Sequence, residues 1–223
     1  MDFSWIGQYY PYFIAGTVNT IVLAFFTVLF GVLIGIVVAL MKISKNRLLK
    51  FVASAYIEFI RGTPLVVQIS IVFYGLPVKF PEITFLGMEM ERFIPGIIAL
   101  SINSGAYVAE IFRAGIQAID KGQTEAARSL GLTQAMAMRY VILPQAIRNI
   151  LPALGNEFVV VIKESSIVYI IGIAELMFSS SIVRGATYRA LEPLLLTAVI
   201  YFILTFTLSK FLGIAERRMR AGD

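Results

Sequence analysis

Long uncharged apolar runs, each closed by a cluster of charge or a polar turn, set the pattern of this chain. Residues 14–41 contain no charge, well beyond the roughly 20 residues that a helix needs to cross a bilayer. Residues 62–78, 93–109 and 193–209 are likewise uncharged and can be lengthened at one end by helix-compatible residues. A further apolar segment, 149–176, is interrupted by Glu157, Lys163, Glu164 and Glu175. The pattern predicts an all-α membrane helical bundle, a single domain over 1–223, with about five spans near 14–41, 51–78, 93–119, 149–176 and 190–213.

Composition supports this reading. The 223 residues are 58% hydrophobic and 15% charged, against about 25% charged in a typical soluble domain. Mean hydropathy is +0.83, too apolar for one soluble core of this size and incompatible with intrinsic disorder. Cys and His are both 0, which removes disulfides, thiol nucleophiles, imidazole bases and the usual zinc ligands. No metal site and no catalytic constellation is expected. The N-terminus has no basic residue before its first apolar run and does not resemble a signal peptide.

A net charge of +5 could point to nucleic acid, but the basic residues segregate by loop. Lys42, Lys45, Arg47 and Lys50 follow the first span, and Arg113, Lys121, Arg128, Arg139 and Arg148 flank or lie in the third-to-fourth connection. Lys210, Arg217, Arg218 and Arg220 end the chain on the same side, whereas the opposite side has only Lys79, Arg92, Arg184 and Arg189. The positive-inside rule then predicts a multi-pass protein of a bacterial-type cytoplasmic membrane, N-terminus outside and C-terminus in the cytoplasm. Trp5, Tyr9, Tyr10 and Tyr12 suit an outer aromatic belt, and nucleic acid is not expected as a partner.

Polar residues inside spans are costly, about 2.5–3.5 kcal/mol each on insertion scales, and by default mark a pathway or a partner. Glu58 and Arg61 lie one turn apart with Gln68 on the same broad side of the second span; Asn103 and Glu110 fall within about 20° of each other on the third. On the fourth, Asn156 aligns with Lys163 and Glu157 with Glu164. Turned inward, these stripes would enclose a charged cavity whose deepest groups carry a net negative charge, suited to a cationic solute with Glu58, Arg61, Gln68, Asn103, Glu110, Lys163 and Glu164 as contacts. Alternatively, neighbouring charges such as Glu58–Arg61 and Lys163–Glu164 neutralise each other and hold the bundle together. Gly62, Thr63 and Pro64 break the second span, because Pro64 has no amide hydrogen and frees the carbonyl of Ile60. The break is either a packed kink or a discontinuous helix at a binding site. Gly31 and Gly35 form a G-x-x-x-G pair, assigned to helix packing.

The connection at 120–148 is longer than a span-to-span turn needs. Thr124 is the expected N-cap of a first short helix, Gly131 its stop, Thr133 the cap of a second helix from Gln134 towards Ile142, and Pro144 the return to the membrane. The element is either an amphipathic helix resting on lipid or a docking element for a soluble partner, with small residues permitting close approach.

Glu125-Ala126-Ala127, Gly131 and Ile142-Leu143-Pro144 resemble the cytoplasmic signature of permease subunits of binding-protein-dependent ATP-binding-cassette (ABC) importers. RGTPLVVQ (61–68), GAYVAEIFRAGIQAIDKGQTEAARSLG (105–131) and ILPQAIRNILPALGNEFVVVIKESSIV (142–168) resemble the polar amino acid subfamily in particular. KESSI (163–167) departs from the family's frequent Asp or Asn followed by Thr.

The resemblance implies a permease that forms the path for polar amino acids. The negative stripes favour arginine, lysine or histidine. Implied partners are two ABC ATPase subunits, a second permease subunit (identical or sister) and an extracytoplasmic binding protein. Glu125, Ala126, Ala127 and Gly131 would touch the ATPase, and Leu143 and Pro144 would fix the returning helix. The chain has no phosphate-binding G-x-x-x-x-G-K-[ST] loop, so no cofactor is expected on it and ATP with Mg would belong to the partner ATPase. Two other readings compete. One is an ion-coupled carrier using Glu58, Glu110 and Glu164 as a proton relay, and the other is a scaffold that transports nothing.

Overall fold

The computed structural model describes residues 3–76, 80, 82–85 and 87–220, the side chains of 219–220 excepted. Lys79, the end of the second expected span at 77–78 and the Arg220 side chain lie outside the described residues.

Helix α1 (Ile6–Ile43) contains the whole first expected span. It ends in a short turn, where the Asn46 side chain accepts the amides of Leu48 (2.9 Å) and Leu49 (3.4 Å) and so caps α2 (Arg47–Gly62). Helix α3 (Leu65–Gly75) follows at 108° to α2, so the second span is sharply broken at the proline. A two-residue hairpin, β1 (Thr84–Phe85) and β2 (Met88–Glu89), pairs Thr84 with Glu89 and Phe85 with Met88. An all-α expectation omits it, because strands this short leave no periodicity to read.

Helix α4 (Met90–Gln117) leads to the short α5 (Lys121–Ser129) and α6 (Gln134–Ala137). A π turn (Met138–Ile142) then runs straight into α7 (Leu143–Glu164) and a 3₁₀ stretch (Ser165–Ile171). After a bend of 50° comes α8 (Leu176–Thr187), and α9 (Glu192–Arg220) closes the chain. Among the described residues three helices, α1, α4 and α9, are individually long and apolar enough to cross a membrane, and the count reaches five if each bent pair is one span.

The core forms where α1 lies along α4. Gly31 and Gly35 create the close approach: a Cβ on Gly35 would sit 2.4 Å from Val108 Cγ1, and one on Gly31 would sit 3.0 Å from Ser104 Oγ. Gly105 returns the contact against Ile34. The G-x-x-x-G pair therefore packs two helices of the same chain. Leu23, Ile69, Phe93, Leu100 and Val168 fill the space beside this seam, while Trp5, Phe13, Leu176 and Val183 form a second cluster near the N-terminus.

Candidate functional site

Two places carry polar chemistry that a bundle does not need for packing: the membrane-depth break with the groups around it, and the elbow between α4 and α7.

At the break, Thr63 and Pro64 are extended and the Ile60 carbonyl has no helical donor. Gln68 supplies one. Its Nε2 donates to the carbonyl oxygens of Ile60 (2.8 Å) and Thr63 (3.0 Å) and to Thr63 Oγ1 (2.9 Å). Its Oε1 accepts from Asn103 Nδ2 on α4 at 2.9 Å. Both amides are 6% exposed. They form one buried brace that satisfies the backbone freed by the proline and ties α2–α3 to α4, as non-helical backbone at membrane depth requires.

The charged residues are distributed differently. Arg61 does not pair with Glu58; its guanidinium lies over the ring of Tyr107, 5.5 Å from the centroid. Glu58 has no polar partner among the described residues and is exposed, as are Arg61 and Lys163. Lys163 acts on the half-buried Glu164 through its charge. Glu110 Oε2 accepts from Arg113 Nη2 at 2.6 Å and from Nε at 3.0 Å. The pair lines a cavity of about 570 Å³ with Lys42, Lys50 and Gln117. With three of the seven expected contacts exposed, the single chain does not enclose them all in one cavity. It gathers Gln68 with Asn103, brings Arg61 towards Glu110, and leaves Glu58 and Lys163 on open surfaces.

Sequence reasoning missed several partners. Ser104 Oγ donates to Glu157 at 2.8 Å, joining α4 to α7 inside the bundle. Glu157 was legible from its alignment with Glu164, but nothing marked Ser104. Tyr107, the shelf under Arg61, carried no signal. At the bend before α8 the fully buried Glu175 caps the helix, accepting the amides of Met177 (2.8 Å) and Phe178 (2.7 Å) and the hydroxyl of Tyr201 (2.9 Å). Asn19 donates to Ala174 O at 2.7 Å and Thr20 accepts the Leu176 amide at 3.1 Å, so α1 and α9 both hold this corner. A lone glutamate one residue before an apolar run is a capping signal, yet its partners lie far away in sequence.

In the elbow, Asp120 rather than Thr124 is the N-cap: its Oδ1 accepts the Gly122 amide at 2.7 Å, and Thr124 lies within α5. The earlier cap wins because only two residues separate Asp120 from the end of α4, and Lys121, Gly122 and Gln123 can all be helical. Gly131 does end α5, at φ 85°. The Leu132 amide reaches the Ala127 carbonyl at 3.2 Å and the Gly131 amide that of Arg128 at 3.0 Å, the paired bonds of a glycine-terminated helix. Thr133 Oγ1 accepts the Met136 amide at 3.2 Å.

The second elbow helix does not stop at Pro144. It continues through the π turn, whose wider winding accommodates the missing proline amide. Ala127 is buried and seats α5, whereas Glu125, Ala126, Gly131, Leu143 and Pro144 are exposed. Leu130 is 84% exposed at the tip, and Tyr140 is 62% exposed with the Arg139 guanidinium 5.6 Å over its ring.

Residues 31–221 match the family described as binding-protein-dependent transport system inner membrane component. The chain is 42% identical over 224 residues to the arginine transport system permease protein ArtQ of Bacillus subtilis, covering 100% of this chain and 99% of that one. It is 40% identical to the putative glutamine transport system permease protein GlnP of Rickettsia conorii, covering 97% and 98%. Among solved structures, a crystal structure of an amino acid ABC transporter with histidines is 55% identical, covers 98% of this chain and 99% of its own, and superposes with a TM-score of 0.89. An inward-facing MetNI methionine ABC transporter shares the fold at a TM-score of 0.76 with 19% identity, over 98% and 99% of the two chains.

Proposed function

The chain belongs to the family of binding-protein-dependent transport system inner membrane components, and from that premise we propose that it is the half-channel of an importer for basic amino acids. It is a multi-pass bacterial inner-membrane permease subunit of an amino acid ABC importer, a family in which a separate ATPase hydrolyses ATP. The finer reading concerns what crosses and what docks.

One observation carries it. Glu58, Arg61 and Lys163 are exposed on the lone chain although they lie at the depth of its spans. Facing lipid, each would cost about 2.5–3.5 kcal/mol, so this surface faces water or protein instead. A second permease subunit, identical or sister, set against it would close a polar path between the two chains. Glu164, next to Lys163 on α7, and the exposed Glu58 bring carboxyl groups to it, which favours an arginine, lysine or histidine side chain over a glutamate one. The arginine system of the Bacillus relative and the histidines of the solved neighbour support the same class. Arg61 and Lys163 remain available for the substrate carboxylate, and Gln68 with Asn103 keep the broken helix open beside them.

The exposed Leu130, with Glu125, Ala126 and Gly131, docks an ABC ATPase, one per permease subunit, which binds ATP and Mg. Leu143 and Pro144 set the start of the returning helix. The N-terminus faces outward, where the binding protein delivers substrate, and the C-terminus lies in the cytoplasm. The ion-coupled carrier is not favoured, since the relatives are subunits of ATP-driven systems.

Purification of the chain with its co-expressed ATPase, reconstituted with the matching binding protein, tests the proposal. Arginine, lysine or histidine should raise ATP turnover and glutamate should not. A larger stimulation by glutamate rejects the substrate class, and ATPase that fails to co-purify rejects the docking assignment.

A further inference from the structure

We propose that the ring of Tyr107 is the shelf for the cationic end of the substrate, and that Arg61 occupies this shelf while the path is empty. The proposal rests on the reading of this surface as the path of a basic amino acid. Asn103, Tyr107 and Glu110 recur at helical spacing on one face of α4, so the ring lies between the buried amide brace and the Glu110 carboxylate. The ring is 36% exposed, and its hydroxyl has no hydrogen-bond partner among the described residues. What it holds is the Arg61 guanidinium, 5.5 Å from its centroid.

Two arginines meet this face and are held differently. Arg113 is fixed by Glu110 at 2.6 Å and by Gln117. Arg61 acts on the Glu110 carboxylate only through its charge, and makes no hydrogen bond or ion pair among the described residues. It stands exposed in the last turn of α2, and a Cβ on the next residue, Gly62, would meet nothing within 4 Å, so its side chain has open space to swing into. An exposed ring face holds a guanidinium weakly, and a carboxylate that pairs with it is the stronger partner.

A basic amino acid supplies both halves of an exchange. Its carboxylate draws Arg61 off the ring, its cationic side chain takes the vacated face, and its ammonium is left to the exposed Glu58. Each of its three charges then has a partner. A neutral side chain draws Arg61 off equally and returns nothing to the ring. The shelf therefore selects against neutral substrates without adding affinity for cationic ones, since arginine trades one guanidinium for another.

The test is equilibrium binding of arginine, and of citrulline as its uncharged counterpart, to the purified permease–ATPase complex without binding protein. Tyr107→Leu should leave arginine affinity within about twofold of the wild type and raise citrulline affinity about fivefold, because Arg61 then gives up no ring contact. Tyr107→Phe keeps the ring face and should behave as the wild type. In an Arg61→Gln background the ring is uncontested, and Tyr107→Leu should lower the affinity for agmatine, a guanidinium without a carboxylate, about fivefold. With Arg61 in place the same substitution should have little effect on agmatine. An unchanged arginine-to-citrulline ratio in Tyr107→Leu, or an equal effect of that substitution on agmatine with and without Arg61, overturns the shelf while the substrate class stands. A wild-type complex that binds glutamate more tightly than arginine rejects the substrate class and the shelf with it.

Discussion

Gln68 shows how much one buried amide can hold. Gln68→Leu keeps the bulk but strands the Ile60 carbonyl and the Asn103 amide, so we expect a loss of about 2–4 kcal/mol, read as a lowered midpoint of thermal unfolding in detergent. Asn103→Ala removes one bond only and should cost less. At the other corner, Tyr201→Phe deletes a single hydroxyl bond to Glu175 and should cost about 1 kcal/mol. Glu175→Ala removes the α8 cap as well and should cost at least twice that in the same measurement. The sequence made part of this visible. Pro64 identified the freed carbonyl, because a missing amide hydrogen has a fixed victim four residues back. It did not identify Gln68 as the donor, since that depends on a 108° turn that no pattern encodes.

Among the elements, the elbow and the α1–α4 seam make opposite demands on glycine. Gly131 is needed for its left-handed backbone, and Gly131→Ala should cost about 1–2 kcal/mol of local stability and weaken ATPase co-purification. Gly35 is needed for its lack of a side chain, and Gly35→Val drives a branched group into Val108, so we expect reduced yield and a lowered unfolding midpoint, whereas Gly185→Ala, with nothing within 4 Å, should leave both unchanged. Leu130→Asp changes no internal contact of note, yet should abolish ATPase co-purification while the unfolding midpoint holds. Gly131, Thr133 and the small residues of the elbow were legible because caps and stops are local chemistry. The position of the first cap was not, since Asp120 and Thr124 are both competent and only the exit of α4 chooses between them. The hairpin after α3 and the partners of Glu175 were hidden for the related reason that they depend on long-range placement.

For the whole molecule, the absence of cysteine is an experimental advantage: single cysteines report sidedness without background. A cysteine at Lys45 should label only from the cytoplasmic side, and one at Tyr188, 95% exposed in the turn before α9, only from outside. The reverse pattern refutes the orientation that the basic residues predict. The several long apolar segments were readable at once, because bilayer thickness acts on any such chain. The placement of the ionisable groups was less so. Stripes on three helices predicted an enclosed cavity, but helix periodicity fixes only the face of a residue, and what that face meets depends on how the helices pack.

The π turn adds a mechanical consequence. By widening one turn at Met138–Ile142 instead of breaking there, the helix stays continuous from Gln134 to Ile171. At 1.5 Å per residue this stiff rod is roughly 57 Å long, and a tilt of about 5° at one end moves the other by about 5 Å. A shove on the elbow would arrive at the Gly172 corner as leverage, lessened only by whatever bend the π turn and Pro152 allow.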